Sequence, residues 1–431
     1  MTDARLTVPL SGMGRRDGAI VGGKNASLGE MIKELDAAGV RVPPGFATTS
    51  HAYWTFIDAN GLRDVIARLV ASLQNDLENL ATVGSEIRGH ILGGTMPGDL
   101  ETAIRSAYRE LADQSGRDVL VAVRSSATAE DLPEASFAGQ LESYLGVRGE
   151  QQLLDAVRRC FASLFTDRAI SYRINNGFDH MAVALSVGVQ RMVRSDLAGA
   201  GVAFTVDTET GFPRAVLVTA GVGLGETIVQ GMVEPDEYHV FKPLLANPAL
   251  SPIIHKECGS KLQKLVCSLD NVAAPTELVA TTRAERDAYV LSDDEVLQIA
   301  RWATAIEEHY GTAMDIEWAK DGETGELFIV QARPETVQST RRDSRFRTYS
   351  LRTHGSLLVS GLAIGEAIAT GPVCRLDHPG QIGEFQTGAI LVTGRTDPDW
   401  VPIMKRAAAI VTDHGGRTSH AAIVSRELGL P

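Results

Sequence analysis

The residues best suited to chemistry lie in the last stretch of the chain, Asp413–Pro431, DHGGRTSHAAIVSRELGLP. An apolar run, AAAIVT at 407–412, leads into two glycines, an arginine, two hydroxyl residues and His420. Beyond it, Ala421, Ile423, Val424 and Leu428 recur at helical spacing, and Gly429 and Pro431 stop the pattern. His420 is therefore expected where a glycine loop feeds a helix N-terminus. Such an end presents backbone N–H groups and a partial positive charge, which suit an anionic adduct on the imidazole. A histidine there can carry a phosphoryl group. The same stretch also reads as a capped turn with an incidental histidine, and nothing within it separates the two.

A second constellation lies upstream. In AMDIEWA (313–319), Asp315 and Glu317 alternate with Met314, Ile316 and Trp318, so both carboxylates face one side of a strand. A DGETG turn leads into LFIVQARP, where Arg333 shares the Gln331 face. Two acids, an amide and an arginine on neighbouring strands supply the hard oxygen ligands and the cation that Mg²⁺ with a triphosphate requires. An isolated DxE is more often a solvated sheet face; Gln331 and Arg333 weigh against that reading. Gly22, Gly23 and Lys24 are read as a loop before a helix from about Ala26 to Ala38, with Gly39 as its stop. This is a weak phosphate-cradle signal, because the spacing is not that of a Walker A motif. Arg124 is read at the end of the strand VLVAV (119–123). A polar loop, 128–140, and a second strand, 142–147, follow it. A hairpin of that composition can lie over nucleotide phosphates. The glycines at 221, 223 and 225 lack the long helix and acidic residue of a dinucleotide fingerprint.

The elements that must position these groups follow from periodicity. VPPGFATTSHAYWTF reads as a strand and then a helix capped by Thr48, Thr49 or Ser50. Amphipathic helix is expected over 62–111, with a break at 93–98, and again over 151–164 and 293–309. A buried strand over 183–193 carries Gln190. Residues 335–345 are polar and unpatterned, and a glycine-rich β region with one late helix follows, which suggests a small swivel-type β/α domain. With 431 residues, two or three domains are expected. The formal charge of −13 argues against a general nucleic-acid or anionic-membrane binder. Four scattered cysteines form neither a zinc pattern nor a disulfide framework. With no leader pattern at the N-terminus and no apolar run of spanning length, a soluble cytoplasmic protein is expected.

Seven stretches, VGGKNASLGEM, VRSSATAEDLPEASFAGQ, ASLFTDRAISYR, GVQRMVRSDLA, MDIEWAKDGETGELFIVQARPETV, DPDWVPIMK and GGRTSHAAIVSRELG, together resemble the phosphoenolpyruvate synthase family, kin to pyruvate phosphate dikinase. They extend over essentially the whole chain in the family's order. The resemblance implies a multidomain α+β and α/β chain. Its parts would be an ATP-grasp N-terminal lobe at 1–200, a C-terminal lobe at 201–338, a linker at 339–348 and an incomplete phosphohistidine swivelling β/β/α domain at 349–431. It also implies the conversion of ATP, pyruvate and water to AMP, phosphate and phosphoenolpyruvate.

Carried over position by position, His420 resembles the family's phosphohistidine. Lys24, Arg124 and Arg333 match its ATP phosphate contacts, Gly139 and Ser143 its phosphate-loop positions, and Gln190 a nucleotide-side position. Glu317 and Gln331 match the pair nearest Mg²⁺, and Asp315 an acid of the ATP site. Thr418 matches the threonine that a regulatory kinase and pyrophosphorylase modify in relatives; a phosphate there would oppose phosphoryl transfer electrostatically. Family members continue into the rest of the swivel domain and a barrel that binds pyruvate and a second Mg²⁺. This chain is therefore expected to support at most the ATP and histidine half-reaction, as a homodimer or with a partner chain carrying the barrel. The alternatives are a rifamycin phosphotransferase-like enzyme and a non-catalytic ATP-binding fragment. In the former the antibiotic-binding region separates the two modules, which here adjoin.

Overall fold

The computed structural model describes residues 5–74, 77, 79–115, 119–128, 142–247, 249–268, 275–335, 356–364, 367–416 and 419–431. Contacts divide the chain into two compact units. The first is Met1–Val193 with Cys267–Glu277 and Phe328–Arg333; the second is Arg194–Val266, Leu278–Leu327 and Pro334–Pro431.

In chain order, the first unit starts with β1 (Thr7–Pro9), α1 (Gly18–Glu34), β2 (Gly45–Thr48), α2 (Ser50–Ala59), α3 (Leu62–Ala71), α4 (Leu80–Gly93) and α5 (Gly98–Ser115). It continues with β3 (Leu120–Ala127), β4 (Ser143–Arg148), α6 (Gly149–Ser163), α7 (Asp167–Asn175) and β5 (Leu185–Arg191). Its strands form one sheet in the order β1-β2-β5-β3-β4, with antiparallel pairing between neighbours. Val121, Val123, Leu185, Val187 and Val189 send one sheet face into a core with Leu153, Val157 and Phe161 of α6 and with Ile87 and Ile91 of α4. Burial of such side chains contributes about 1.5–3 kcal/mol each, which is why the long amphipathic stretch at 62–111 folds onto this sheet. Thr49 is the cap of α2, its Oγ1 accepting from Ala52 N at 3.2 Å.

Two local expectations change. The helix near the N-terminus begins at Gly18 and ends at Glu34; Gly22 (φ 75°) kinks it, and Gly23 and Lys24 are helical. A Cβ at Gly22 would lie 2.5 Å from the Ser126 carbonyl oxygen, so only glycine lets the helix approach β3 this closely. Arg124 lies inside β3 and not at its end, because pairing with β5 continues through Ala127.

The second unit carries β6 (Gly199–Phe204), β7 (Ala215–Val222), α8 (Glu226–Val229), β8 (Asp236–Phe241) and β9 (Ile253–Glu257). The pair β10 (Gln263–Cys267) and β11 (Thr276–Ala280) forms a separate two-stranded sheet. Then come α9 (Arg283–Asp287), α10 (Asp293–Tyr310) and β12 (Met314–Lys320). Strands of this unit run in the order β12-β6-β7-β8-β9, antiparallel throughout. Ser292 and Glu295 close a capping box at the start of α10, and Gly311 ends it in the left-handed region. The next strand, β13 (Leu327–Pro334), has its 328–333 portion in the first unit. The remainder is β14 (Val373–Arg375), β15 (Ile390–Thr393), α11 (Val401–Met404), β16 (Ala409–Thr412) and α12 (His420–Leu428). β14, β15 and β16 form a parallel sheet, and Leu376, Phe385, Leu391, Trp400, Ile403 and Met404 make a core that Val424 and Leu428 of α12 join. Among the described residues no helix is long and apolar enough to cross a membrane.

Candidate functional site

In the first unit, β3 lies between β4 and β5, with Arg124 opposite Ser143 on one side and Gly188 on the other; Gln190 lies opposite Ala122. Opposed residues, and residues two apart, share a face of an antiparallel sheet. Arg124, Ser143 and Gln190 therefore project to one face, away from the core valines. The helix α1 covers that face: a Cβ on Gly188 would meet Asn25 Oδ1 at 2.2 Å, and Asn25 Nδ2 donates to Ser186 Oγ at 2.9 Å. Lys24 sits on this helix, next to Asn25. The buried Gln190 amide donates to the Pro43 carbonyl at 3.1 Å, so this side chain has a structural partner in the segment leading into β2.

The first-unit part of β13 is tied to the same elements. Arg124 Nη1 donates to the Val330 carbonyl at 3.1 Å, Ser27 Oγ of α1 to the Ala332 carbonyl at 2.8 Å, and Ile329 N to the Arg41 carbonyl at 2.8 Å. These bonds engage the carbonyls on either side of Gln331, and so hold Gln331 and Arg333 on a strand bonded to the elements that carry Arg124 and Lys24. Gly139 lies outside the described residues. Behind the sheet, burial pushes the Cys160 thiol up, with the Glu142 carboxylate acting in the same direction and the Lys24 charge opposing it. Cys160 is thus held as a neutral thiol and is no candidate nucleophile.

In the second unit, Asp315 and Glu317 lie on β12, opposite Phe204 and Val202 of β6. Met314, Ile316 and Trp318 are fully buried, and both carboxylates are half-buried on the other face, which is the alternation expected. Trp318 Nε1 donates to the Thr219 carbonyl at 3.2 Å and pins the strand's orientation. Asp315 and Glu317 present carboxylate oxygens on one face of β12, the donor type that Mg²⁺ favours.

His420 is the first residue of α12. Ser419 is the N-cap, its Oγ accepting from Ala422 N at 3.4 Å. The helix therefore starts where the glycine loop predicts. The tertiary structure adds a partner: Thr396 Oγ1 lies 3.1 Å from His420 Nδ1. Thr396 is buried, and its hydroxyl engages Nδ1 of the ring. Arg417 and Thr418 lie outside the described residues.

Sequence reasoning passed over three contacts of the His420 segment. Thr396 precedes the DPDW turn, and its only signal was a hydroxyl residue just upstream of a capped turn. Arg426 Nη2 forms an ion pair with Glu209 Oε1, a residue 217 positions away. Gly231 (φ 65°) lies against Ser419; a Cβ there would come within 2.4 Å of the Ser419 Cβ. Neither Glu209 nor Gly231 carries a local pattern that would mark it.

Comparison with known proteins shows the family. Residues 18–352 match the family model described as pyruvate phosphate dikinase, AMP/ATP-binding domain, and residues 385–431 match PEP-utilising enzyme, mobile domain. Similar curated proteins include phosphoenolpyruvate synthases from Synechocystis sp. (54% identical, covering 97% of this chain and 52% of that protein), Aquifex aeolicus (51%, covering 96% and 49%) and Escherichia coli (50%, covering 97% and 53%). The chain spans about half the length of the curated relatives it matches. A mixed α/β chain whose family model covers Lys24, Arg124, the β12 acids and Arg333, and whose second match contains His420, belongs to the pyruvate phosphate dikinase AMP/ATP-binding domain family.

Proposed function

We propose that this chain performs the nucleotide half of a phosphoenolpyruvate synthase-type reaction, in which ATP, pyruvate and water give AMP, phosphate and phosphoenolpyruvate through a phosphohistidine at His420. The observation that carries the reading is His420 at the first position of α12, with Nδ1 beside Thr396, in a segment matching the PEP-utilising mobile domain. The nucleotide-binding region is read as an ATP-grasp fold, with lobes at 1–200 and 201–338, a linker at 339–348 and a phosphohistidine domain at 349–431.

In the mechanism, Lys24, Arg124 and Arg333 offset phosphate charge and align the triphosphate; Ser143, Gly139, Gln190 and Asp315 complete the ATP site. Glu317 and Gln331 would hold Mg²⁺, which when bound neutralises charge on the phosphate oxygens. Neutral His420 attacks the β-phosphoryl group through Nε2, and AMP leaves. Water then cleaves the outer phosphate, and the phosphoryl group left on Nε2 passes to pyruvate at a site that a partner chain or a further domain supplies. Phosphorylation of Thr418 by a regulatory kinase would put negative charge beside the incoming group and block transfer, and a pyrophosphorylase would reverse it. The composition fits a cytoplasmic enzyme that binds neither nucleic acid nor membrane.

Incubation with β- and γ-labelled ATP and Mg²⁺ tests the reading. Acid-labile β-label on the protein, abolished in His420→Ala, is expected. ATP binding with no label would overturn the transfer step and leave a non-catalytic ATP-binding protein.

A further inference from the structure

Helix α12 is held from two sides. Val424 and Leu428 pack into the core of the β14–β16 layer. Its two ends meet an earlier part of the same unit. At the N-terminal end Ser419 lies against Gly231, and Gly416 approaches Pro235. At the other end Arg426 reaches Glu209. Glu209 is itself fixed: Asp207 Oδ1 accepts from Glu209 N and from Thr210 N, each at 2.9 Å, and Gly211 N bonds the Asp207 carbonyl at 2.8 Å. The Arg426 side chain is only 4% exposed and that of Glu209 18%. An ion pair this dry is little screened by salt, and either charge left alone there bears its full desolvation cost.

We propose that Glu209 and Arg426 form a latch that holds the His420 helix docked on the segments at 205–212 and 226–236. The purpose assigned to the latch rests on the phosphohistidine reading: a carrier histidine must leave one partner to reach the next, and this pair sets how much of the time it is docked. Loss of the Glu209 charge strands a buried guanidinium. Undocking returns Arg426 to water, whereas the β14–β16 contacts of Val424 and Leu428 do not involve Glu209. Release of the latch therefore frees the helix with its own layer intact.

Hydrogen exchange on the full chain tests this without nucleotide. In Glu209→Gln, peptides covering 226–236 and 419–428 are expected to exchange at least tenfold faster, while β14–β16 and the first unit keep their wild-type rates. The charge-reversed pair, Glu209→Arg with Arg426→Glu, is expected to restore protection. Unchanged exchange in Glu209→Gln would overturn the latch. So would faster exchange spread through β14–β16, which would mark unfolding of that layer, or failure of the reversed pair to restore protection. Because the readout needs no label transfer, a chain that shows the latch but takes no label from ATP would refute the phosphohistidine reading alone.

Discussion

At the scale of single residues, the imidazole of His420 depends on a neighbour that no local pattern announces. With Thr396 Oγ1 at 3.1 Å from Nδ1, the hydroxyl holds the ring's orientation. Thr396→Val keeps the volume and removes the hydroxyl. It is expected to slow label transfer from ATP to His420 by roughly tenfold or more, with ATP affinity unchanged and Thr396→Ser close to wild type. An equal rate in Thr396→Val would show that the contact positions nothing. A second titratable group shows how burial sets pH dependence. His180 accepts a hydrogen bond from Arg173 Nε at 2.8 Å, and burial, assisted by the Arg173 charge, pushes its pKa down to about 4. The unfolded chain titrates this group near 6.5. Between those values the unfolded state binds a proton that the folded state refuses. The His180 contribution is thus fully present above about pH 6.5 and is lost as the pH falls towards 4. Thermal melts at pH 7.5 and 5 should show a smaller loss for His180→Gln, which keeps an acceptor for Arg173 but does not titrate; equal losses would rule this out.

At the scale of elements, the informative departure is α1. Glycine pairs before a helical pattern usually mark a loop, which is what Gly22 and Gly23 suggest in the sequence. The structure keeps Gly23 and Lys24 helical because Gly22, in the left-handed region, lets α1 close onto Ser126 of β3. Gly22→Ala places a Cβ 2.5 Å from the Ser126 carbonyl oxygen and 2.7 Å from its carbon. Left-handed strain and overpacking together should cost about 2–4 kcal/mol, measured by urea unfolding. Gly18→Ala is the control: it lies on the same helix with φ −51° and no atom within 4 Å of its Cβ, and it should be neutral or slightly stabilising. Equal stabilities for the two variants would refute the close-approach account.

At the scale of the whole molecule, the surface carries an apolar run. Leu357, Leu358 and Val359 are 83%, 90% and 74% exposed, and Val373 of the outer strand β14 is 70% exposed. Contiguous exposed apolar side chains favour association. Leu357→Ser with Leu358→Ser should lower light scattering at high concentration and shift stability by no more than about 0.5 kcal/mol; unchanged scattering would show that the run does not drive association. Much of the architecture was legible in the residues themselves. The alternation of Asp315 and Glu317 with Met314, Ile316 and Trp318, the cap of α2, the stop of α10 at Gly311 and the start of α12 beside His420 all follow from periods and end signals spanning a few residues. Such signals act locally, so a single stretch contains them. What joins distant stretches did not follow. The seating of α1 on Ser126, the Thr396 contact to His420 and the pairing of Glu209 with Arg426 are each made between groups that no periodicity connects. Only packing, which brings together residues such as Glu209 and Arg426, 217 positions apart, decides which polar groups end up without water and must therefore find each other.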